Sequence, residues 1–375
     1  MTNDKEDLRG GMKESKTLVD GLIQRKKVLR MGVYDYFWPD TLRNWLEHGY
    51  PQDASGSPAN PEEVFDFDLA FAGGWFDILP LPKVNETVEE TADWIIRRNG
   101  AGASLRYWKN KAGCPEHIDF KMTTRAIWER DYRPHLLKLN VDRLDIKGAK
   151  ELLAKRKQQG YWTYFGNLFI WENMRQSMGD LCLYESLMTD KDWIQDYNRV
   201  YTDFFKTHYQ VFFKEVGLPD GIWVYENLGY KTGTFCSPKT CEELLFPYYK
   251  EMNDFFHSYG LPVVLHSCGN IESILPLVVS AGFDALNPME AKAGCDVLRF
   301  AERYADKLAF IGGLDVRLLE AGDRAAIASR IREICGTMKA LGASYVFASD
   351  HSISTGVKYE TYQYALEVLK SSWEY

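Results

Sequence analysis

Through the second half of the chain, short apolar runs rich in Val, Ile and Phe alternate with amphipathic stretches, and brief Gly- and Asp-containing turns separate them. The apolar runs lie at 222–225, 263–265, 285–286, 308–311 and 345–347. Between them, helical patterns cover 237–259, 272–281, 296–305 and 323–341. The last helix shows the period plainly: Tyr362, Ala365, Leu366 and Leu369 fall at i, i+3, i+4 and i+7. Ser237 ahead of Pro238 is a good helix start, a capping hydroxyl followed by a residue with fixed φ and no N–H to lose.

Strands that are apolar on both faces and alternate with helices pair in parallel, because the crossovers cover both sides of the sheet. Five such units fit either a closed barrel or a doubly wound sheet. Two observations favour the barrel. No Gly-rich phosphate loop follows any strand, and polar, chemically able residues end nearly every strand, where barrel enzymes place their chemistry. The predicted fold is therefore α/β, a (β/α)8 TIM barrel.

The first half is less regular. Residues 29–37 read as the first barrel strand, followed by a helix over 39–47. Residues 52–120 hold short strand-like pieces at 65–71, 95–97 and 104–108 among many turns, which predicts an inserted hairpin region near the barrel mouth. Residues 161–171 read as another strand and 191–216 as a long helix. With no low-complexity linker and no repeat, 1–375 reads as a single domain whose first 28 or so residues form an extension.

Composition narrows the partners. The 375 residues are 45% hydrophobic, enough for a large core and too apolar for a disordered chain. A net charge of −8 argues against nucleic acid, and the short basic runs at 25–27 and 155–157 sit on polar helical faces. No apolar run reaches the ~18 residues of a membrane span. A polar N-terminus without an apolar core, and an odd count of seven cysteines, predict a reducing, cytoplasmic setting.

Strand ends supply the candidate chemistry. The run at 263–265 leads into His266-Ser267-Cys268-Gly269, and side chains two apart on extended backbone point the same way. Imidazole and thiolate are both good zinc ligands, and Gly269 permits a sharp turn behind them. The next strand ends in Asn287-Pro288-Met289-Glu290, the final one in Ser349-Asp350-His351. On a closed barrel these ends share one rim, so His266, Cys268, Glu290 and His351 form a nitrogen–sulfur–oxygen set suited to Zn²⁺. Glu290 also reads as a solvated rim carboxylate, and His351 as a hydrogen-bonded loop histidine. Asp350 is either a ligand or a group that orients one.

From Tyr225 to His351 the sequence resembles the uroporphyrinogen-decarboxylase-like superfamily. The resemblance is to its zinc-dependent, corrinoid-linked methyltransferase branch, which is similar to the catalytic domain of cobalamin-independent methionine synthase. The shared pattern is H-x-C on one strand, a Glu at the next strand end and a Cys at the last. Glu290 stands 22 residues beyond Cys268 and the last position 83 beyond it. The departure is His351 where the pattern has Cys. Imidazole donates less charge than thiolate and leaves a harder metal, better at gripping oxygen. The decarboxylase branch carries an arginine-rich motif after its first strand, whereas this chain has Tyr34-Asp35-Tyr36-Phe37-Trp38-Pro39-Asp40, with two acids that would repel a polyanionic porphyrinogen.

The resemblance implies a zinc-dependent methyltransferase that moves a methyl group from a small oxygen-bound donor to a corrinoid. An aryl methyl ether, as in an O-demethylase component, suits the 14% aromatic content. No D-x-H-x-x-G cobalamin motif is present, so the corrinoid would come on a partner protein. The alternatives are transfer from methylcorrinoid to a thiol or folate, and a metal-free lyase of the decarboxylase type. Glu226 reads as a general acid or base or a rim ion pair, with Tyr225 and Asn227 beside it as substrate contacts. Asp315 contacts substrate or caps the next helix at Arg317. Tyr34, Tyr36 and Trp38 form an aromatic wall around a flat ring, or pack as core.

Overall fold

The computed structural model describes residues 14–110, 113 and 115–375. Most of the polar run at the start of the extension, and positions 111, 112 and 114 of the insertion, lie outside the described residues.

Eight parallel strands form the barrel: β1 (Gly32–Val33), β2 (Leu69–Phe71), β3 (Trp162–Leu168), β4 (Gly221–Tyr225), β5 (Val263–Ser267), β6 (Ala285–Pro288), β7 (Ala309–Ile311) and β8 (Tyr345–Phe347). Their spatial order is β1-β8-β7-β6-β5-β4-β3-β2. The register puts His266 beside Tyr225 on one neighbour and Asn287 on the other, so three strand ends meet at one height. The seam between β1 and β2 is closed largely by one residue. Asp68 donates its N–H to Val33 O at 2.8 Å and accepts the Val33 N–H at 2.9 Å on Oδ2. The same buried carboxylate takes both guanidinium nitrogens of Arg30 at 2.8 Å and the Ser15 hydroxyl at 2.7 Å.

Inside the barrel, Tyr34, Trp162, Tyr164, Trp223, Val264 and Ile311 belong to one buried cluster. The helix Ser15–Ile23 presents Val19, Leu22 and Ile23 to the same cluster from the N-terminal end. Asp20 on that helix accepts the Trp162 indole N–H at 2.9 Å. The extension is therefore a plug, and Tyr34 belongs to the packed interior rather than to a wall at the rim. Its hydroxyl lies 2.9 Å from that of Tyr164, and its ring centroid 5.3 Å from that of Trp223. Phe37 joins a second aromatic cluster with Trp45, Phe65 and Tyr362.

Several elements depart from the sequence reading. The expected strand at 29–37 pairs only at Gly32–Val33. The expected strand at 161–171 ends at Leu168, and Ile170–Thr189 is a helix. The single helix over 237–259 is two, Pro238–Leu244 and Phe246–His257, because Pro247 cannot continue the first and starts the second. The helix over 191–216 has the expected bounds, Lys191–Val216, with the Asp190 side chain capping it at Trp193 N. The insertion is an antiparallel meander of four strands, Asn85–Glu90, Trp94–Asn99, Ala103–Trp108 and Glu116–Phe120. Among the described residues no helix is long and apolar enough to cross a membrane.

Candidate functional site

At the C-terminal rim, period-two alternation brings the side chains of His266 and Cys268 together, with Nε2 and Sγ 3.5 Å apart. The imidazole is held from behind. Asn287, opposite His266 on β6, donates its amide to Ile311 O at 2.9 Å, so its Oδ1 must face the histidine. His266 Nδ1 lies 2.5 Å from that oxygen and carries the proton, which leaves the Nε2 lone pair turned toward Cys268. Cys268 is fixed through its backbone, whose N–H donates to Asn227 Oδ1 at 3.0 Å. Gly269 follows with φ of 77°, and a Cβ there would lie 2.2 Å from the Gly229 carbonyl carbon. Only glycine allows these two loops to touch.

Glu290 reaches the same place from β6. Its Oε2 accepts the Gly269 N–H at 2.7 Å, and its Oε1 pairs with the Lys292 ammonium at 3.0 Å. From β8, Asp350 accepts the backbone N–H of Ala291 and of Val316, each at 2.8 Å, and so ties the loops after β6 and β7 together. His351 next to it is half-buried, with Nδ1 3.4 Å from Ser352 O. Two donors therefore stand together, Glu290 follows the neighbouring strand β6, and His351 follows β8, beyond β7. Among the described residues, no three His, Cys, Asp or Glu side chains are grouped closely enough to hold a metal ion as they stand.

The electrostatics are those of a dry, acidic pocket. Burial pushes the His266 imidazole down to about 4, so it is neutral at physiological pH. Burial, and then the charge of Glu290, push the Cys268 thiol up to about 12, with Glu172 and Asp350 acting in the same direction. A neutral imidazole beside a thiol in a negative field is an environment in which a cation would be stabilised and the thiol would lose its proton to it.

Other expected site residues have different places. Glu226 is fully buried, not on the rim. Its Oε1 accepts Phe169 N–H and its Oε2 accepts Trp171 N–H, both at 2.7 Å, and the Tyr249 hydroxyl also bonds Oε2. It therefore caps the helix Ile170–Thr189, and burial pushes its carboxyl up to about 8. Asp315 caps Val316–Ala321 through Arg317 N–H and pairs with the Arg317 side chain. Asn227 positions Cys268 by accepting its backbone N–H. Tyr225 does border the site, its ring 5.3 Å from that of His266. Tyr36 is exposed, and Trp38 is half-buried at the start of Pro39–Leu46.

Three contributors carry no site role in the sequence reading. Trp75 lies 5.8 Å from Tyr225, nearly parallel to it and 46% exposed, so the two rings extend one flat aromatic face. Gly166 leaves the space for them, since a Cβ there would lie 2.9 Å from the Tyr225 ring. The signal is Gly73-Gly74, one residue beyond β2, glycines near a strand end where backbone comes close to a site. Asp35 is buried and pushed up to about 7 by that burial, and it holds Ser349 Oγ at 2.6 Å, two residues before His351. Asn287, in the sequence only part of a strand end, sets the histidine tautomer.

Residues 220–372 match a family model described as uroporphyrinogen decarboxylase (URO-D). No curated protein matches the sequence. Among solved structures, a methyltransferase from Methanosarcina mazei aligns over 96% of this chain and 99% of its own, with a TM-score of 0.64 and 13% identity. An endo-β-1,4-xylanase of glycoside hydrolase family 10 from Gloeophyllum trabeum aligns over 62% and 83%, with a TM-score of 0.40 and 12% identity. At 13% identity the likeness to the methyltransferase speaks to fold alone. The chain thus has the (β/α)8 barrel, and its resemblance to the uroporphyrinogen-decarboxylase-like superfamily holds over the stretch that carries His266, Cys268, Glu290 and His351.

Proposed function

We propose that this protein is a zinc-dependent methyltransferase that moves a methyl group from an oxygen-bound donor to a corrinoid carried by a partner protein. The observation that carries the reading is the convergence of His266 Nε2 and Cys268 Sγ at the mouth of the barrel, with the far nitrogen of the imidazole anchored on Asn287. A hydrogen-bonded far nitrogen is the usual support behind a metal-ligating histidine. Nitrogen and sulfur donors suit zinc, and the negative field of Glu290, Glu172 and Asp350 would offset its charge. Glu290 would complete the set by exchanging the Lys292 ammonium for the metal, and His351 by turning inward. The whole-length likeness to the Methanosarcina mazei methyltransferase supports the reaction class.

Bound there, zinc would supply Lewis acidity that makes the donor oxygen a better leaving group. The chain's own residues do the rest. His266 and Cys268 hold, Asn287 and Asn227 aim them, and Asp350 fixes the loops on either side. The Tyr225–Trp75 face beside His266 suits a flat aryl group, which favours an aryl methyl ether as donor.

Elemental analysis tests the reading, on the wild-type protein and on His266→Ala and Cys268→Ala. The expected result is about one zinc per chain, lost in both variants. Protein that stays metal-free after zinc reconstitution would overturn the mechanism and favour the metal-free lyase. With zinc established, demethylation of a methyl ether in the presence of reduced corrinoid protein decides the direction of transfer.

A further inference from the structure

Two cysteines outside the proposed zinc set lie sulfur to sulfur. Cys236 and Cys241, in the sequence Cys-Ser-Pro-Lys-Thr-Cys, have Sγ atoms 3.3 Å apart. Local structure holds them there. Ser237 caps the helix Pro238–Leu244, and the Cys241 N–H bonds back to Ser237 O at 2.9 Å. On the other side, the Thr234 hydroxyl donates to Cys236 O at 2.7 Å. The two thiols differ in access: Cys241 is 1% exposed, while Cys236 is half-buried and open to small solutes. The two sulfurs share a hydrogen-bonding contact. That lowers the Cys236 pKa and raises that of Cys241, the asymmetry of an attacking and a resolving thiol.

We infer that Cys236 and Cys241 are a redox-active dithiol that closes to an intramolecular disulfide on meeting a peroxide. The Cys236 thiolate attacks one peroxide oxygen, the O–O bond breaks, and the departing oxygen takes a proton to leave as water (or alcohol), giving a sulfenic acid on Cys236. The Cys241 sulfur then displaces hydroxide from that sulfenic acid. The thiol proton leaves with it as a second water, so two thiols are oxidised as one peroxide is reduced. Closure to about 2.05 Å needs the sulfurs to approach by roughly 1.2 Å, a movement the first turn of a helix can supply. The bridged turn follows the segment that runs from Asn227, which holds the Cys268 N–H, to Phe235, whose ring packs on Trp171 and under the Arg175 guanidinium. The inference stands independently of the zinc chemistry.

Peptide mapping by mass spectrometry of the full-length protein, treated with hydrogen peroxide and then alkylated, tests it. The expected product is a Cys236–Cys241 linkage, lighter by the two hydrogens lost and reversed by dithiothreitol. In Cys241→Ser, Cys236 is expected to accumulate as a sulfenic acid that dimedone labels. In Cys236→Ser, Cys241 is expected to stay fully alkylatable only after unfolding. Full alkylation of both cysteines after a peroxide dose that oxidises other thiols of the chain would overturn the inference, as would linkage of Cys236 to any other cysteine.

Discussion

Replacing Glu226 by Gln separates a helix cap from a catalytic acid and carries a pH signature. The carboxyl is fully buried, and burial raises it from 4.5 to about 8, so it is protonated in the folded protein at neutral pH. Its proton then lies between Oε2 and the Tyr249 hydroxyl, while both oxygens still accept backbone N–H groups. An amide nitrogen in place of Oε2 can donate to Tyr249 but cannot accept from Trp171. A buried N–H without an acceptor costs about 2 kcal/mol. At about 2.1 cal/mol/K of unfolding entropy per residue over the chain, that lowers Tm by roughly 2.5 °C in acid.

The same carboxyl weakens the wild-type protein as pH rises. Its folded pKa lies above its unfolded one, so its contribution is fully present below 4.5 and is lost as pH climbs through about 8. At about 1.4 kcal/mol per pKa unit the loss approaches 5 kcal/mol. Gln does not titrate. Urea unfolding of both proteins across this range should therefore show the wild type more stable near pH 4.5 and the variant more stable near pH 8. A gap that widens in favour of the wild type with rising pH would refute the reasoning, because it would mean that an ionised carboxylate caps the helix.

Two further substitutions probe the rim. Asn287→Ala removes the anchor of His266 Nδ1 and should weaken zinc binding by about 10- to 100-fold with the fold intact, as read by competition with a chromophoric chelator; unchanged affinity would show that the anchor has no such role. Gly269→Ala forces a Cβ to within 2.2 Å of Gly229 at a φ of 77°, and should cost about 2 kcal/mol or more in denaturant unfolding and abolish metal retention; a wild-type midpoint would refute the close approach.

Local pattern was enough to read the long helix Lys191–Val216 and the five later barrel strands, because each buries a face or both faces with unbroken periodicity. The H-x-C pair was legible for the same reason, since alternation on an extended strand is a short-range rule. What was not legible depends on contacts distant in sequence. Glu226 looks like a rim acid until the helix starting at Ile170 is seen to rest its N-terminal amides on it, 56 positions earlier. Asn287 looks like a turn residue until the register places it opposite His266. Tyr34 looks like a wall residue until the helix Ser15–Ile23 is found filling the barrel beneath it. Trp75 was overlooked because β2 is only three residues long and its glycine-rich exit gave no apolar rhythm.

The plugged lower end of the barrel governs traffic as well as stability. Among the described residues, the helix Ser15–Ile23 and the Trp162–Tyr164–Trp223 layer fill the cylinder from below, which leaves the upper rim as the way to His266 and Cys268. Two reactants that meet there must share a single doorway. In the reaction proposed above, a small donor would have to enter before a bulky carrier covers the opening, and its product would leave only after the carrier has lifted away. On that proposal the fold would impose a compulsory order of arrival and departure, and excess carrier would act as a dead-end inhibitor of the empty barrel.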